Sequence, residues 1–391
     1  MNHKKNLFRP PILRTAENQE HERKVTWLEL FFDLAFVAAI ASLAEVLSHH
    51  YSVGGFLQFA FIFVMVWWAW IGQTYYLTRF DTDDLTHRVT AVFKMLSVVC
   101  LAVSATGALG ERSVEFALSY AAIRIILVIE YLRAGYYNGE AKPLVNRFAL
   151  GFSVSILLWL VSLFVPAPYR FFIWALAIVI DYLTPMTAGD LHAKFPPHIH
   201  HLPERFGLFT IIVLGEIIVD IVIALNKTGL TLYSVATAFF GIAIGFIIWG
   251  LYFDGVHAAE SRVLNSSNEV NKYQVWLYSH LPLTMGITST AVGIKHLIYL
   301  KYPIAMNDGE ALLFILSIIL TAVCLNFIFL SQPNIGFTKD TWKKIAPHFY
   351  INIVMLLTIF LIPYLAGIAL LGLITFIYSL KIFYSYKYSN K

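Results

Sequence analysis

Runs of about twenty apolar residues, each bounded by polar or proline-containing segments, recur along the whole chain and predict a bundle of membrane-crossing helices. Twelve such stretches can be drawn, approximately over 25–47, 54–77, 89–109, 113–133, 145–165, 170–189, 205–226, 230–253, 274–297, 310–331, 342–362 and 364–384. At about 1.5 Å per residue each is long enough for the roughly 30 Å of a bilayer's hydrocarbon. The division at Pro363 has an alternative, a long kinked helix followed by a re-entrant segment, which gives the same pattern over 342–384. The first stretch is longer and more acidic than the core of a cleaved signal peptide, so it is expected to remain as a helix. The predicted class is all-α: a polytopic membrane protein with about 12 transmembrane helices.

Composition agrees. The 391 residues are 58% hydrophobic and 13% charged, with a mean hydropathy of +0.68, whereas soluble domains carry about 25% charged residues. The lipid bilayer is the expected partner, and a net charge of +4 gives no reason to expect nucleic acid. With the N-terminus placed in the cytoplasm, 21 of the 28 Lys and Arg residues fall on the cytoplasmic side. Five fall opposite (Arg112, Arg170, Lys227, Lys295 and Lys301), and Lys94 and Arg124 lie within helices. That bias predicts an even helix count with both termini cytoplasmic. Cys100 and Cys324 sit in apolar stretches and read as packing residues.

Four regions follow: a solvated cytoplasmic tail over 1–24, a six-helix half over 25–189, a His-rich cytoplasmic hinge over 190–203, and a second six-helix half over 204–391. The halves share a weak pattern. Glu29, Phe31 and Glu45 match Glu204, Phe206 and Asp220 at a constant offset of 175, Phe80-Asp81 answers Phe253-Asp254, and Lys94 answers His280. An even number of helices per half would make this a parallel repeat, related by an axis along the membrane normal.

Ionisable residues inside apolar stretches are functional candidates, since a charge in hydrocarbon must be paired, protonated or wetted. Glu29 and Asp33 are one turn apart on helix 1, and Lys94 enters at the same cytoplasmic depth from helix 3. With Arg79, Asp81, Glu204, Arg205 and Asp254 at cytoplasmic helix ends, they form a predicted acid–base cluster, either a structural network or part of a transport path. Glu216 and Asp220 are likewise one turn apart, near the middle of helix 7. Their expected partner is Arg124 in helix 4, where Tyr120 and Tyr131 extend the polar face. One guanidinium cannot neutralise both carboxylates, so a proton-binding site is expected there. Asp181 and His280 extend the lining, and Pro282 frees a backbone carbonyl or merely bends its helix. Trp67, Trp68 and Trp70 read as packing and interfacial anchors, and Gly241 and Gly245 as a close helix contact. The hinge histidines His192, His198, His200 and His201 raise a transition-metal reading, but their spacing matches no closed zinc site. No metal and no cofactor are expected.

Several segments together resemble the bacterial low temperature requirement protein A family: Glu29-Leu-Phe-Phe-Asp-Leu-Ala-Phe-Val, Trp67-Trp-Ala-Trp, Arg79-Phe-Asp, Tyr252-Phe-Asp-Gly, Tyr278-Ser-His-Leu-Pro-Leu and the run from His201-Leu-Pro-Glu-Arg-Phe-Gly to Leu214-Gly-Glu. The resemblance covers about residues 25–300, and beyond that only hydropathy supports it. It implies a bacterial cytoplasmic-membrane protein associated by name with growth in the cold, and it supplies no reaction. Glu29, Asp33, Arg79, Asp81, Glu204, Arg205, Glu216, Asp254 and His280 stand in matching motifs.

The leading functional expectation is a proton-coupled secondary transporter or permease for an unidentified small molecule or ion. It rests on helix count, short loops, the repeat and the mid-depth acids. The alternative is a membrane-embedded enzyme acting on a lipid or isoprenoid through Asp81, Asp83, Asp84 and the histidines, although an Asp-x-x-Asp spacing occurs there only once. Substrate and oligomeric state stay open.

Overall fold

The computed structural model describes residues 8–14, 25–81, 84–189, 191, 194–195, 201–256, 267–332 and 338–389. Among them are twelve long α-helices close to the predicted stretches: α1 (Trp27–His49), α2 (Val53–Arg79), α3 (Leu85–Ala105), α4 (Ser113–Tyr137), α5 (Lys142–Ser162), α6 (Tyr169–Met186), α7 (His201–Thr228), α8 (Leu232–Val256), α9 (Ser267–Tyr299), α10 (Asp308–Leu330), α11 (Lys339–Leu357) and α12 (Gly367–Ser389). A 3-10 segment, Thr358–Tyr364, contains Pro363 and joins α11 to α12. The apolar run over 342–384 is thus two helices interrupted at the proline.

Ten of these helices are long and apolar enough to cross a membrane; α4 and α9 are not. Helix α4 carries Glu115, Arg124, Glu130 and Arg133, which lowers its hydropathy. In α9 the reason is different. Thr284, Thr288, Ser289 and Thr290 are fully buried, so this helix is surrounded by protein and needs no lipid-facing side. Thr284 and Thr288 satisfy their hydroxyls on the carbonyls of His280 and Thr284, each 2.9 Å away.

Local chemistry explains the helix starts. Thr26 caps α1, its hydroxyl accepting the Glu29 N–H at 3.2 Å and donating to the Glu29 carboxylate at 3.2 Å. Asp84 caps α3 by accepting the His87 N–H at 2.9 Å. The segment before α1 departs from the solvated tail expected over 1–24. Ile12–Leu13 (β1) pairs antiparallel with Phe80–Asp81 (β2). Leu13 N–H donates to Asn138 Oδ1 at 3.2 Å, and Asn138 Nδ2 donates to the Pro11 carbonyl at 2.8 Å. The remainder of that tail lies outside the described residues.

The described residues form two compact units: those up to Leu43 with Ile62–Arg205, and Ala44–Phe61 with those from Phe206 onward. The later boundary falls beside the predicted hinge. Residues 44–61, however, join the second unit, because Tyr51 Oη donates to the Ser289 carbonyl at 2.9 Å and Ser48 Oγ lies 3.2 Å from His296 Nε2. The first unit is packed on aromatic rings, with Tyr131 edge-on to Tyr76 and Phe148 at 5.2 and 5.4 Å. In the second, a Cβ on Gly286 of α9 would lie 2.5 Å from Thr321 Oγ1, and one on Gly241 of α8 would lie 2.6 Å from the Ile294 side chain. Backbone approach at small residues therefore sets these contacts.

Candidate functional site

Four ionisable side chains meet in the second unit. Glu216 and Asp220 stand one turn apart on α7, and Lys295 projects from α9. Glu45 comes from the end of α1 that belongs to this unit. Lys295 Nζ lies 3.1 Å from Asp220 Oδ1 and 2.8 Å from Glu45 Oε2. Lys295 and Asp220 are buried, whereas the Glu45 side chain is 53% exposed, so the cluster opens at Glu45. His49 Nε2 approaches the other Glu45 oxygen at 3.4 Å. Glu216 is buried and has no hydrogen bond or ion pair among the described residues. Asp220 Oδ2 is also unpartnered there. Among the described residues Lys295 is thus shared by Asp220 and Glu45 while Glu216 has no ion pair, leaving acid oxygens that a proton or a cation would neutralise.

Arg124 is not the cation of this site. It pairs with Asp181 in the first unit, Nη2 to Oδ1 at 2.7 Å, with both side chains fully buried. Tyr120 Oη donates to the other Asp181 oxygen at 3.1 Å, and the guanidinium lies over the Phe152 ring at 4.2 Å. Gly72 makes room, since a Cβ there would lie 2.7 Å from Arg124 Nη1. Lys295 falls at the end of an apolar stretch, which puts it among the exposed positive residues of the charge count; instead it turns into the protein.

Lys94 also has a partner other than the expected Glu29 and Asp33. Its ammonium is 2.5 Å from Glu130 Oε2 and in contact with Gln73 Oε1, and His87 Nδ1 lies 4.0 Å from the second Glu130 oxygen. Asp33 is held by Arg205 Nη2 at 2.5 Å and by Trp70 Nε1 at 2.9 Å. Trp70 therefore adds an indole donor to its packing role. Glu29 lies 2.9 Å from His201 Nε2 and 3.5 Å from Arg205 Nη1, and the exposed Glu204 accepts the Val25 N–H at 3.2 Å. Arg79 donates from Nε to the Phe195 carbonyl at 2.9 Å and faces the rings of Tyr75 and Phe148. Among the described residues the predicted cytoplasmic cluster divides into a Glu29, Asp33, His201 and Arg205 group and a separate Lys94, Glu130, Gln73 and His87 group.

His280 stands apart from the acids. It is fifteen residues before Lys295 on the same helix, about 22 Å along its axis. Its Nδ1 donates to the Trp276 carbonyl at 2.7 Å, and Nε2 lies within hydrogen-bond distance of Tyr252 Oη at 3.0 Å. The rings of Phe206 and Trp276 enclose it, each 4.6 Å away. Asp81 lies in β2 and Asp254 in the last turn of α8. His192, His198 and His200 fall outside the described residues. Among the described residues no group of three or more His, Cys, Asp or Glu is arranged to hold a metal ion.

A family model described as bacterial low temperature requirement A protein (LtrA) matches residues 24–382. The chain belongs to this family. The match extends the resemblance through α10, α11 and most of α12, where the sequence motifs give out and hydropathy alone speaks. Membership and the ten apolar helices make the chain a multi-pass membrane protein. An uncharacterized protein of Rhizobium meliloti is 27% identical over 303 residues, covering 71% of this chain and 72% of its own length. In LtrA terms, the ELFFD and HLPERFG segments meet at Asp33 and Arg205, and their acids and bases are paired with one another. Glu216, at the end of the longest motif, is without such a partner among the described residues.

Sequence reasoning missed Glu130 and Gln73 beside Lys94, and Glu45 and Lys295 beside Asp220. A census of every ionisable group within the apolar stretches finds Glu130. The match of Glu45 with Asp220 at an offset of 175 points to the two residues that share Lys295.

Proposed function

We propose that this protein is a proton-coupled secondary transporter or permease of the bacterial cytoplasmic membrane, working in growth in the cold, with Glu216 and Asp220 as proton and substrate groups. The observation that carries this reading is Lys295 shared by Asp220 and the exposed Glu45, with the neighbouring buried Glu216 unpartnered among the described residues. A buried acid without a cation is retained at a free-energy cost, and a cycle of proton uptake and release gives it a use. The twelve helices, with α4 and α9 also crossing, and the charge bias support cytoplasmic termini. Glu45 and Asp220, equivalent in the offset pattern, support two parallel six-helix repeats. The enzyme reading has less support, since Asp84 caps α3 and pairs with Arg133 at 2.5 Å.

The test is cold-growth complementation of a strain lacking the gene, at matched amounts of protein in the membrane and over a range of external pH. Glu216→Gln should abolish complementation and its pH dependence while membrane levels are unchanged. Full complementation by the Glu216→Gln, Asp220→Asn double variant overturns the reading.

A further inference from the structure

A second polar site lies in the first unit, where the N-terminal segment crosses the ends of α3 and α4. A cavity of about 660 Å³ is lined there by Phe8, Arg9, Thr86, Arg133, Tyr136 and Tyr137, with Pro10. The segment is tied down beside it: Arg133 Nη2 donates to the Arg9 carbonyl at 2.8 Å, and Arg9 N–H donates to Asp84 Oδ2 at 3.3 Å. Arg133 is neutralised by Asp84. Burial pushes the Asp84 carboxyl up, but the hydrogen bonds from Arg133 and from the His87 and Arg9 amides outweigh it, so it stays below its ordinary range and ionised. The exposed Arg9 guanidinium and the hydroxyls of Tyr136 and Tyr137 have no partner among the described residues. Among the described residues the pocket therefore keeps one uncompensated positive charge, that of Arg9, on a wall that also carries Tyr136 and Tyr137.

Two exposed apolar stripes run from this pocket along the helices. One is Val89, Val92 and Leu96 on α3, and the other is Ile125, Ile129 and Leu132 on α4, ending at Tyr136. A cationic, tyrosine-lined pocket at the ends of membrane helices, continuous with lipid-facing stripes, matches a phosphodiester headgroup with two acyl chains. We propose that this pocket binds an anionic phospholipid, Arg9 taking the phosphate and the α3 and α4 stripes taking the chains. The proposal is independent of the transport reading.

The experiment is native mass spectrometry of the detergent-purified full chain titrated with phosphatidylglycerol or phosphatidylcholine of identical chains. One phosphatidylglycerol should bind about tenfold more tightly than phosphatidylcholine, equivalent to about 1.4 kcal/mol. Arg9→Gln, an exposed change, should remove that preference without altering the thermal midpoint of the lipid-free protein. Equal binding of the two lipids, or an undiminished preference in Arg9→Gln, overturns the proposal. Displacement of phosphatidylglycerol by millimolar inorganic phosphate would show a site for the phosphate group alone and would overturn the lipid assignment.

Discussion

Lys94 is enclosed by Glu130, Gln73 and His87, and the identity of its partner has a measurable consequence. Removing the ammonium leaves Glu130 buried and unpaired, and breaking one half of a buried pair costs about 3–5 kcal/mol. Lys94→Ala should therefore lower the thermal midpoint of the detergent-solubilised protein strongly, and adding Glu130→Gln should recover much of the loss. Adding Asp33→Asn to Lys94→Ala should recover nothing, because Arg205 is the cation on Asp33. Recovery in that second combination, read by the same melting curve, would reverse the assignment. Residue types and depths were legible in the sequence. Partners were not, since spacing along a helix fixes the face a carboxylate occupies but not which neighbour that face meets.

Helices were the most legible level, because each apolar run of about twenty residues has few other ways to satisfy its backbone in lipid. The exceptions are informative. Helix α9 was drawn from its apolar run over 274–297, yet it is more polar than the ten apolar helices; it is buried along most of its length, and Gly286 lets it approach α10. A Cβ at Gly286 would meet Thr321 Oγ1 at 2.5 Å and the Ser317 carbonyl oxygen at 3.1 Å. Gly286→Ala should thus destabilise by about 1–3 kcal/mol as overpacking. A Cβ on Gly215 in α7 would meet nothing within 4 Å, and Gly215→Ala should be neutral or stabilising by up to about 1 kcal/mol. Denaturation midpoints of the two variants should therefore move apart; equal shifts would mean that close α9–α10 approach is not what Gly286 provides.

At the scale of the whole chain, the charge bias predicts that tags placed before residue 1 and after residue 391 both resist protease added outside intact cells. Cleavage of either tag, with an external loop tag as a positive control, would require an odd number of crossings. The order of synthesis adds a further consequence of the pairing. Asp33 and Arg205 are 172 residues apart, and Glu45 and Lys295 are 250 apart. At about 5–20 residues per second, Asp33 leaves the ribosome roughly 10–30 s before its guanidinium exists. The nascent first helix therefore reaches the insertion machinery carrying acids whose permanent partners have yet to be translated. Until then it must stay beside water, take up protons or be shielded by another protein, and its final seat in the bilayer is decided late, when the seventh helix arrives.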